Sequence, residues 1–271
     1  MLARATTRPG RLLVVDLFAG AGVYDLEGPV ARKTGEAREG IVRLLRAPGP
    51  PPALAAPLIE AVRALDPGGR RYPGSPELAR ARLRPGDRLV LVELHPTDHA
   101  DLVARYGGRE GMEVRRADGL RLLAGTLPPP VGRAVVLIDP AYELEDEEPA
   151  LVDALGRALA RQPAAVYLLW YPVLERARTE AFLAALAAVG FGGALRVELA
   201  RLPDGAGRGL TGSGMVIVNA PQGLDRWLAR ELPILAAALG ARGPSRVERL
   251  PGRPAPRRPR SLAAPLSGGR R

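Results

Sequence analysis

Along the chain, short and nearly unbroken apolar runs alternate with stretches whose apolar residues recur at helical spacing. The runs at 11–18, 88–94, 135–138, 164–171, 194–199 and 214–219 are rich in Val, Leu and Ile, the pattern of strands buried on both faces; 112–116 is a more polar member of the same series. Helical periodicity covers 151–159, about 174–189, with Gly190 placed to close it, and about 222–240. Strand and helix in this order predict an α/β fold, an open and mostly parallel Rossmann-like sheet of about seven strands, within a domain at 11–240. Residues 25–86 break the rhythm. Their Pro- and Gly-rich turns surround apolar, helix-like runs at 36–46 and 53–65, which predicts an inserted, mainly helical subdomain. The insert ends at Tyr72-Pro73-Gly74-Ser75-Pro76, where Ser75 is suited to capping a helix that starts at Pro76. Residues 242–271, rich in Arg, Pro and Gly, predict a disordered tail.

The chemistry gathers where strands end. In an open α/β sheet, ligands sit in the crevice outside the carboxyl ends of the strands. The first strand runs through Asp16 and Phe18 into Gly20-Ala21-Gly22, where glycines let backbone approach a ligand closely. A P-loop is excluded by the lack of Gly-Lys-Ser/Thr, and the dinucleotide fingerprint by the lack of its third glycine, which disfavours a nicotinamide-dependent oxidoreductase. The second strand closes on Glu93, an acid placed to accept hydrogen bonds from ribose hydroxyls; the insert accounts for its distance from the glycine loop. His95 beside Pro96 is a turn residue, and His99 faces solvent. The third strand is followed by Asp118-Gly119. The fourth delivers Asp139-Pro140-Ala141-Tyr142, an acid, a proline and an aromatic at the point where the chain turns.

Charge modifies this picture less than its size suggests. The formal net charge is +10, but residues 242–271 hold nine Arg and one acid, Glu248, and the rest of the chain is close to neutral. Lys33 is the single lysine among 39 basic residues, a sign of compositional bias in the genome more than of selection for guanidinium chemistry. The absence of cysteine excludes disulfides, thiolate metal sites and cysteine nucleophiles. No apolar run approaches the roughly 18 residues of a membrane span. The first ten residues lack an apolar signal segment, which points to a cytoplasmic protein without a membrane partner.

Asp16 with Gly20 and Gly22 resembles the first motif of S-adenosylmethionine-dependent methyltransferases, and Asp139-Pro140-Ala141-Tyr142 resembles the Asp/Asn-Pro-Pro-Tyr/Phe motif of amino-group methylation. In that motif the Asp carboxylate and the carbonyl of Pro140 accept the amine's protons, and Tyr142 offers a face to an extruded base. The runs Lys33-Thr34-Gly35-Glu36, Tyr72-Pro73-Gly74-Ser75-Pro76, Glu93-Leu94-His95-Pro96, Ala117-Asp118-Gly119, Trp170-Tyr171-Pro172-Val173 and Gly209-Leu210-Thr211-Gly212-Ser213-Gly214-Met215 look like the RlmJ family, over roughly residues 11–240. Its members methylate the N6 amine of one adenine in large-subunit (23S) ribosomal RNA. The resemblance implies S-adenosylmethionine as cofactor, a cofactor site lined by Phe18, Gly20, Ser75, Glu93, Asp118, Gly119 and Asp139, catalysis by Asp139, Pro140 and Tyr142, a ribosomal RNA partner, no metal, and action as a monomer. The sequence departs from the family in three places. Its usual N-terminal segment is missing, Phe18 stands where a cofactor-contacting histidine is common, and Ala141 replaces the second proline, loosening a turn that proline would fix. An adenine-N6 DNA methyltransferase and a non-catalytic cofactor- or RNA-binding relative remain alternatives at this level.

Overall fold

A computed structural model describes residues 10–28, 31, 35–125, 127, 132–142, 147–206 and 209–251. The elements in chain order are β1 (Leu12–Asp16), β2 (Val23–Asp25), α1 (Glu36–Glu39), α2 (Ile41–Arg46), α3 (Ala56–Leu65), β3 (Arg71–Pro73), α4 (Ser75–Arg80), β4 (Arg88–Glu93), α5 (Pro96–Tyr106), β5 (Met112–Arg116) and α6 (Gly119–Ala124). They continue with β6 (Arg133–Ile138), α7 (Glu147–Arg161), β7 (Val166–Val173), α8 (Arg176–Ala188), β8 (Ala194–Ala200), β9 (Gly212–Val218), α9 (Leu224–Leu239) and β10 (Ser245–Leu250).

Eight strands form one sheet in the order β10-β8-β9-β7-β6-β1-β4-β5. The half from β5 to β7 is parallel, and β9 and β10 run antiparallel to their neighbours. The unbroken apolar runs follow from burial on both faces. In β1, Leu13 and Val15 join one core with Val136, Ile138 and residues of α7 and α8. Leu12 and Val14 join the other, with Leu102 and Tyr106 of α5 and Leu224 and Leu228 of α9. Successive side chains of a strand point to opposite faces, so a buried central strand must be apolar at every position. The chain winds outward from β1 through β4 to β5, then returns to β6 on the other side of β1. That reversal is the topological switch point, and its crevice lies at the carboxyl ends of β1 and β6.

Within 25–86 a third, smaller core unites Ile41, Leu44, Ile59 and Val62 with Tyr72 and with Leu235 and Leu239 of α9. The expected helix at 36–46 is two helices, because Gly40 takes a conformation (φ −97°, ψ −107°) that interrupts the spiral. A ribbon of β2 and β3, with Tyr24 opposite Tyr72, ties the start of this insert to its end.

Two expectations need correction. The tail does not begin at 242: residues 245–250 form β10, antiparallel to β8, and give the sheet its eighth strand. Its polar composition hid it. Arg246 pairs with Asp204 at 3.4 Å, Glu248 with Arg196 at 3.3 Å and Arg249 with Asp225 at 2.5 Å, so charges add to the main-chain ladder and to the packing of Val247 and Leu250 in holding this edge strand. Ser75 does not cap the helix after it. Gly74 occupies the N-cap of α4 with no side-chain cap, and Ser75 is the first helical residue. Lys33, Thr34, Glu143, Gly207, Arg208 and 252–271 lie outside the described residues.

Candidate active site

The glycine loop after β1 is stitched into the sheet edge. Leu17 N–H donates to Leu137 O (3.1 Å) and Ala19 N–H to Val92 O (2.9 Å), so the loop crosses the ends of β6 and β4. Gly20 adopts φ +58°, a conformation that favours glycine, and a Cβ there would displace the Tyr24 hydroxyl. Glu93 holds the loop from the side. Its Oε2 accepts Gly20 N–H and its Oε1 accepts His95 N–H, both at 2.8 Å, and each oxygen keeps a second lone pair for a ligand hydroxyl. Gly74 N–H donates to Gly22 O at 2.9 Å, which brings Ser75 against Asp16.

Asp118 and Gly119 complete the rim. Asp118 Oδ1 caps α6 through the N–H groups of Leu120 (2.9 Å) and Arg121 (3.2 Å), while Oδ2 lies 3.4 Å from the Arg121 guanidinium. Gly119 is small by necessity, since a Cβ would strike Leu17 O and sit 3.0 Å from the Phe18 ring. The structure thus gathers Phe18, Gly20, Ser75, Glu93 and Gly119 around one loop, with Asp118 beside it as a helix cap.

Across the crevice, Pro140 is buried and Asp139 is exposed. Surrounding protein desolvates Asp139 and pushes its carboxyl up to about 6. Tyr142 turns away from a free surface. It holds φ +55°, a conformation unfavourable by roughly 1–2 kcal/mol for an L-residue, and is kept there by its hydroxyl, which donates to Trp170 O at 2.5 Å. Its ring tilts against Trp170 at a centroid distance of 5.8 Å. Burial, with Asp139 adding, pushes the phenol far above its usual range, so it remains a donor. The recess between Tyr142 and Phe182 measures about 10 Å³, too small for a nucleobase. Two concavities of greater volume involve the insert.

Two further residues belong to this place: Asp16, which the sequence offered only as the acid of the glycine-loop motif and not as a ligand-contacting residue, and Tyr24. Asp16 is 1% exposed, and burial raises its carboxyl to about 7; Ser75 and the Phe18 N–H offset part of that rise, and Asp139 and Glu93 add to it. The Ser75 side chain lies beside the carboxylate, yet Oδ2 has no hydrogen-bond partner among the described residues. The signal was the acid closing the first strand of the series. Tyr24, 45% exposed, lies over the glycine loop with its phenol raised by burial and then by Asp98, Asp16 and Glu93. Nothing in the sequence placed it there.

Asp16, Glu93 and Asp139 therefore end three adjacent strands, and neither Asp16 nor Asp139 has an ion-pair partner among the described residues. No group of three or more His, Cys, Asp or Glu among those residues could hold a metal. An acidic crevice with an orphaned buried carboxylate oxygen favours a cationic ligand. S-adenosylmethionine, which carries an ammonium and a sulfonium, fits the residues present.

Comparison with known proteins agrees. The model of the family described as "Ribosomal RNA large subunit methyltransferase D, RlmJ" matches residues 10–250. The chain is 39% identical to the Ribosomal RNA large subunit methyltransferase J of Escherichia coli (strain K12), over 84% of this chain and 81% of that protein. With the protein of the same name from Haemophilus influenzae it shares 37% identity, over 84% of this chain and 82% of that one. A crystal structure of a Legionella pneumophila protein superposes with a TM-score of 0.81 at 30% identity, covering 93% of this chain and 92% of that one. Crevice, acids and relatives lead to one conclusion: the chain belongs to the RlmJ family of S-adenosylmethionine-dependent methyltransferases.

Proposed function

We propose that this protein methylates the N6 amine of an adenine in large-subunit ribosomal RNA, with Asp139 as the acceptor that activates the amine. The observation that carries this reading is the position of Asp139, at the switch point beside Asp16 and Glu93 and followed by the strained turn at Tyr142. An exocyclic amine is a poor nucleophile because its lone pair is delocalised into the ring. A carboxylate that accepts the amine's hydrogens localises that pair, and desolvation makes Asp139 a stronger acceptor than an ordinary surface Asp. At neutral pH a carboxyl of about 6 is still mostly ionised, so acceptor strength rises without loss of the reactive form.

Bound at the crevice, the cofactor supplies a methyl group already activated by its positive sulfur. The chain's own residues would do the rest. Asp16 Oδ2 would accept from the ligand's ammonium, Glu93 from its ribose hydroxyls, and Asp118 Oδ2 from its adenine amine; Phe18 and Gly119 would pack beneath. Asp139 and the Pro140 carbonyl would orient the target amine in line with the methyl carbon, which is where positioning contributes most. Tyr142 would border the extruded base, its ring already supported by Trp170. Action as a monomer, in the cytoplasm where its RNA is made, belongs to the same reading.

Transfer of labelled methyl groups to deproteinised large-subunit RNA and to duplex DNA tests the reading. Label recovered as N6-methyladenosine from the RNA supports it. Label confined to DNA would assign the protein to adenine-N6 DNA methylation instead.

A further inference from the structure

A concavity of about 1210 Å³ lies on the insert, away from the crevice. Five arginines line it (Arg38, Arg43, Arg46, Arg63 and Arg70) against two acids, Glu27 and Glu39. Both acids are engaged, Glu39 by Arg201 at 2.5 Å and Glu27 by Arg70 at 3.5 Å. Among the described residues Arg38, Arg46 and Arg63 have no acidic partner. Compositional bias explains why these cations are arginines, but not why they are unmatched. On the antiparallel side of the sheet Arg176, Arg196 and Arg246 each meet carboxylates.

One wall of the groove is fixed by hydrogen bonds, and the groove adjoins a second concavity beside the glycine loop. Asp66 accepts the N–H groups of Gly68 (3.0 Å), Arg70 (2.9 Å) and Arg71 (3.0 Å), which fixes the turn that carries Arg70. A second concavity of about 580 Å³ shares Pro67 and Arg70 with the groove and is lined at its far end by Val23 and Tyr24. Tyr24 lies over Gly20. A continuous surface thus leads from the glycine loop, past an exposed aromatic ring, into an arginine-lined channel. An aromatic platform followed by guanidinium groups is the chemistry that follows a single-stranded nucleic-acid backbone.

We infer that the groove formed by α1, α2, α3 and the turn at 66–70 binds the phosphodiester backbone of the substrate RNA on one side of the target adenine. Resting on the RNA-methylation reading, the inference makes the insert the part that holds RNA while the sheet holds cofactor and base.

The test is the double reversal Arg46→Glu with Arg63→Glu, two exposed residues outside every core, compared with Arg109→Glu with Arg226→Glu, which changes the net charge equally at sites away from the groove. Binding of deproteinised large-subunit RNA is measured against salt, and S-adenosylhomocysteine binding by calorimetry. The groove variant is expected to lose on the order of 10-fold or more in RNA affinity at low salt. Its log–log salt slope should shrink by about 1.4, roughly 0.7 for each single-strand phosphate that is no longer neutralised. Cofactor affinity should be unchanged, and the control pair should retain most RNA affinity. Unchanged affinity and slope in the groove variant, or equal loss in the control, would overturn the inference. The assay requires no methyl transfer. Groove-dependent binding without methylation would reject the methylation reading alone, and methylation with groove-independent binding would reject the groove alone.

Discussion

Asp16 and Glu198 are both 1% exposed, and the protein treats them in opposite ways. Glu198, in the antiparallel half of the sheet, is saturated. It accepts the Tyr171 hydroxyl (2.9 Å), Arg196 Nε (3.0 Å) and Nη2 (2.8 Å), and Arg176 Nη1 (3.0 Å to Oε2). Through Arg176 and Arg196 it reaches Asp204 and Glu180, so one carboxylate ties β7, β8, α8 and the loop after β8 together. Asp16, at the end of a central parallel strand, has a 3.4 Å contact from Phe18 N–H, a nearby serine and an orphaned Oδ2. A buried charge without a partner is unfavourable by several kcal/mol and persists where a ligand supplies the partner. The same residue chemistry at equal depth serves architecture in one half of the sheet and binding in the other, and the difference lies in the donors.

The contrast can be broken most severely at Asp139. Asp139→Ala should lower the rate of transfer by about 10²–10⁴, the usual range for an essential proton acceptor. Melting temperature should change little, since Asp139 is exposed and makes no ion pair among the described residues. Single-turnover kinetics at saturating RNA check this. Glu198→Ala should do the reverse. It leaves Arg196 and Arg176 short of their shared acceptor and should destabilise the fold by about 3–5 kcal/mol in chemical denaturation, with cofactor affinity preserved in the protein that remains folded.

Titration sharpens the comparison on a smaller scale. The rate of transfer should climb as pH rises through about 6, where Asp139 ionises, and level off above. Stability should move the other way. Asp16 binds its proton more tightly folded than unfolded, so its contribution is full below the unfolded value near 3.9 and is lost as pH rises to about 7. The smallest expected effect is at Ala141. Ala141→Pro, which restores the proline of the motif, should stabilise the ligand-free protein by about 0.4–1 kcal/mol in thermal unfolding, through restriction of the unfolded chain.

The parallel core was legible because a strand buried on both faces has no choice but an apolar run, and an acid or glycine that interrupts such a run marks its ligand-facing end. Asp139, Glu93 and Gly20 were singled out this way, and the structure places them at or just beyond the carboxyl ends of β6, β4 and β1. Charge-rich structure was not legible: β10 carries Arg246, Glu248 and Arg249 around Val247 and Leu250, and its pairing with β8 and its partners on other elements distinguish it from a solvated tail. Ser75 suggested a cap because serine so often is one, and its place against Asp16 depends on the hydrogen bond from Gly74 to Gly22, a contact between distant parts of the chain. Tyr24 is carried over the glycine loop by a three-residue strand that pairs only with β3, too short a run for periodicity to reveal.

That uncompensated acids mark the ligand site is tested most directly by Asp16→Asn, titrated calorimetrically with S-adenosylmethionine and melted without ligand at pH 8. Cofactor affinity is expected to be at least about tenfold weaker, a loss of roughly 1.4 kcal/mol or more, together with a higher melting temperature than wild type, because the substitution removes a buried charge. Undiminished cofactor affinity, or a ligand-free protein that melts lower, would contradict it.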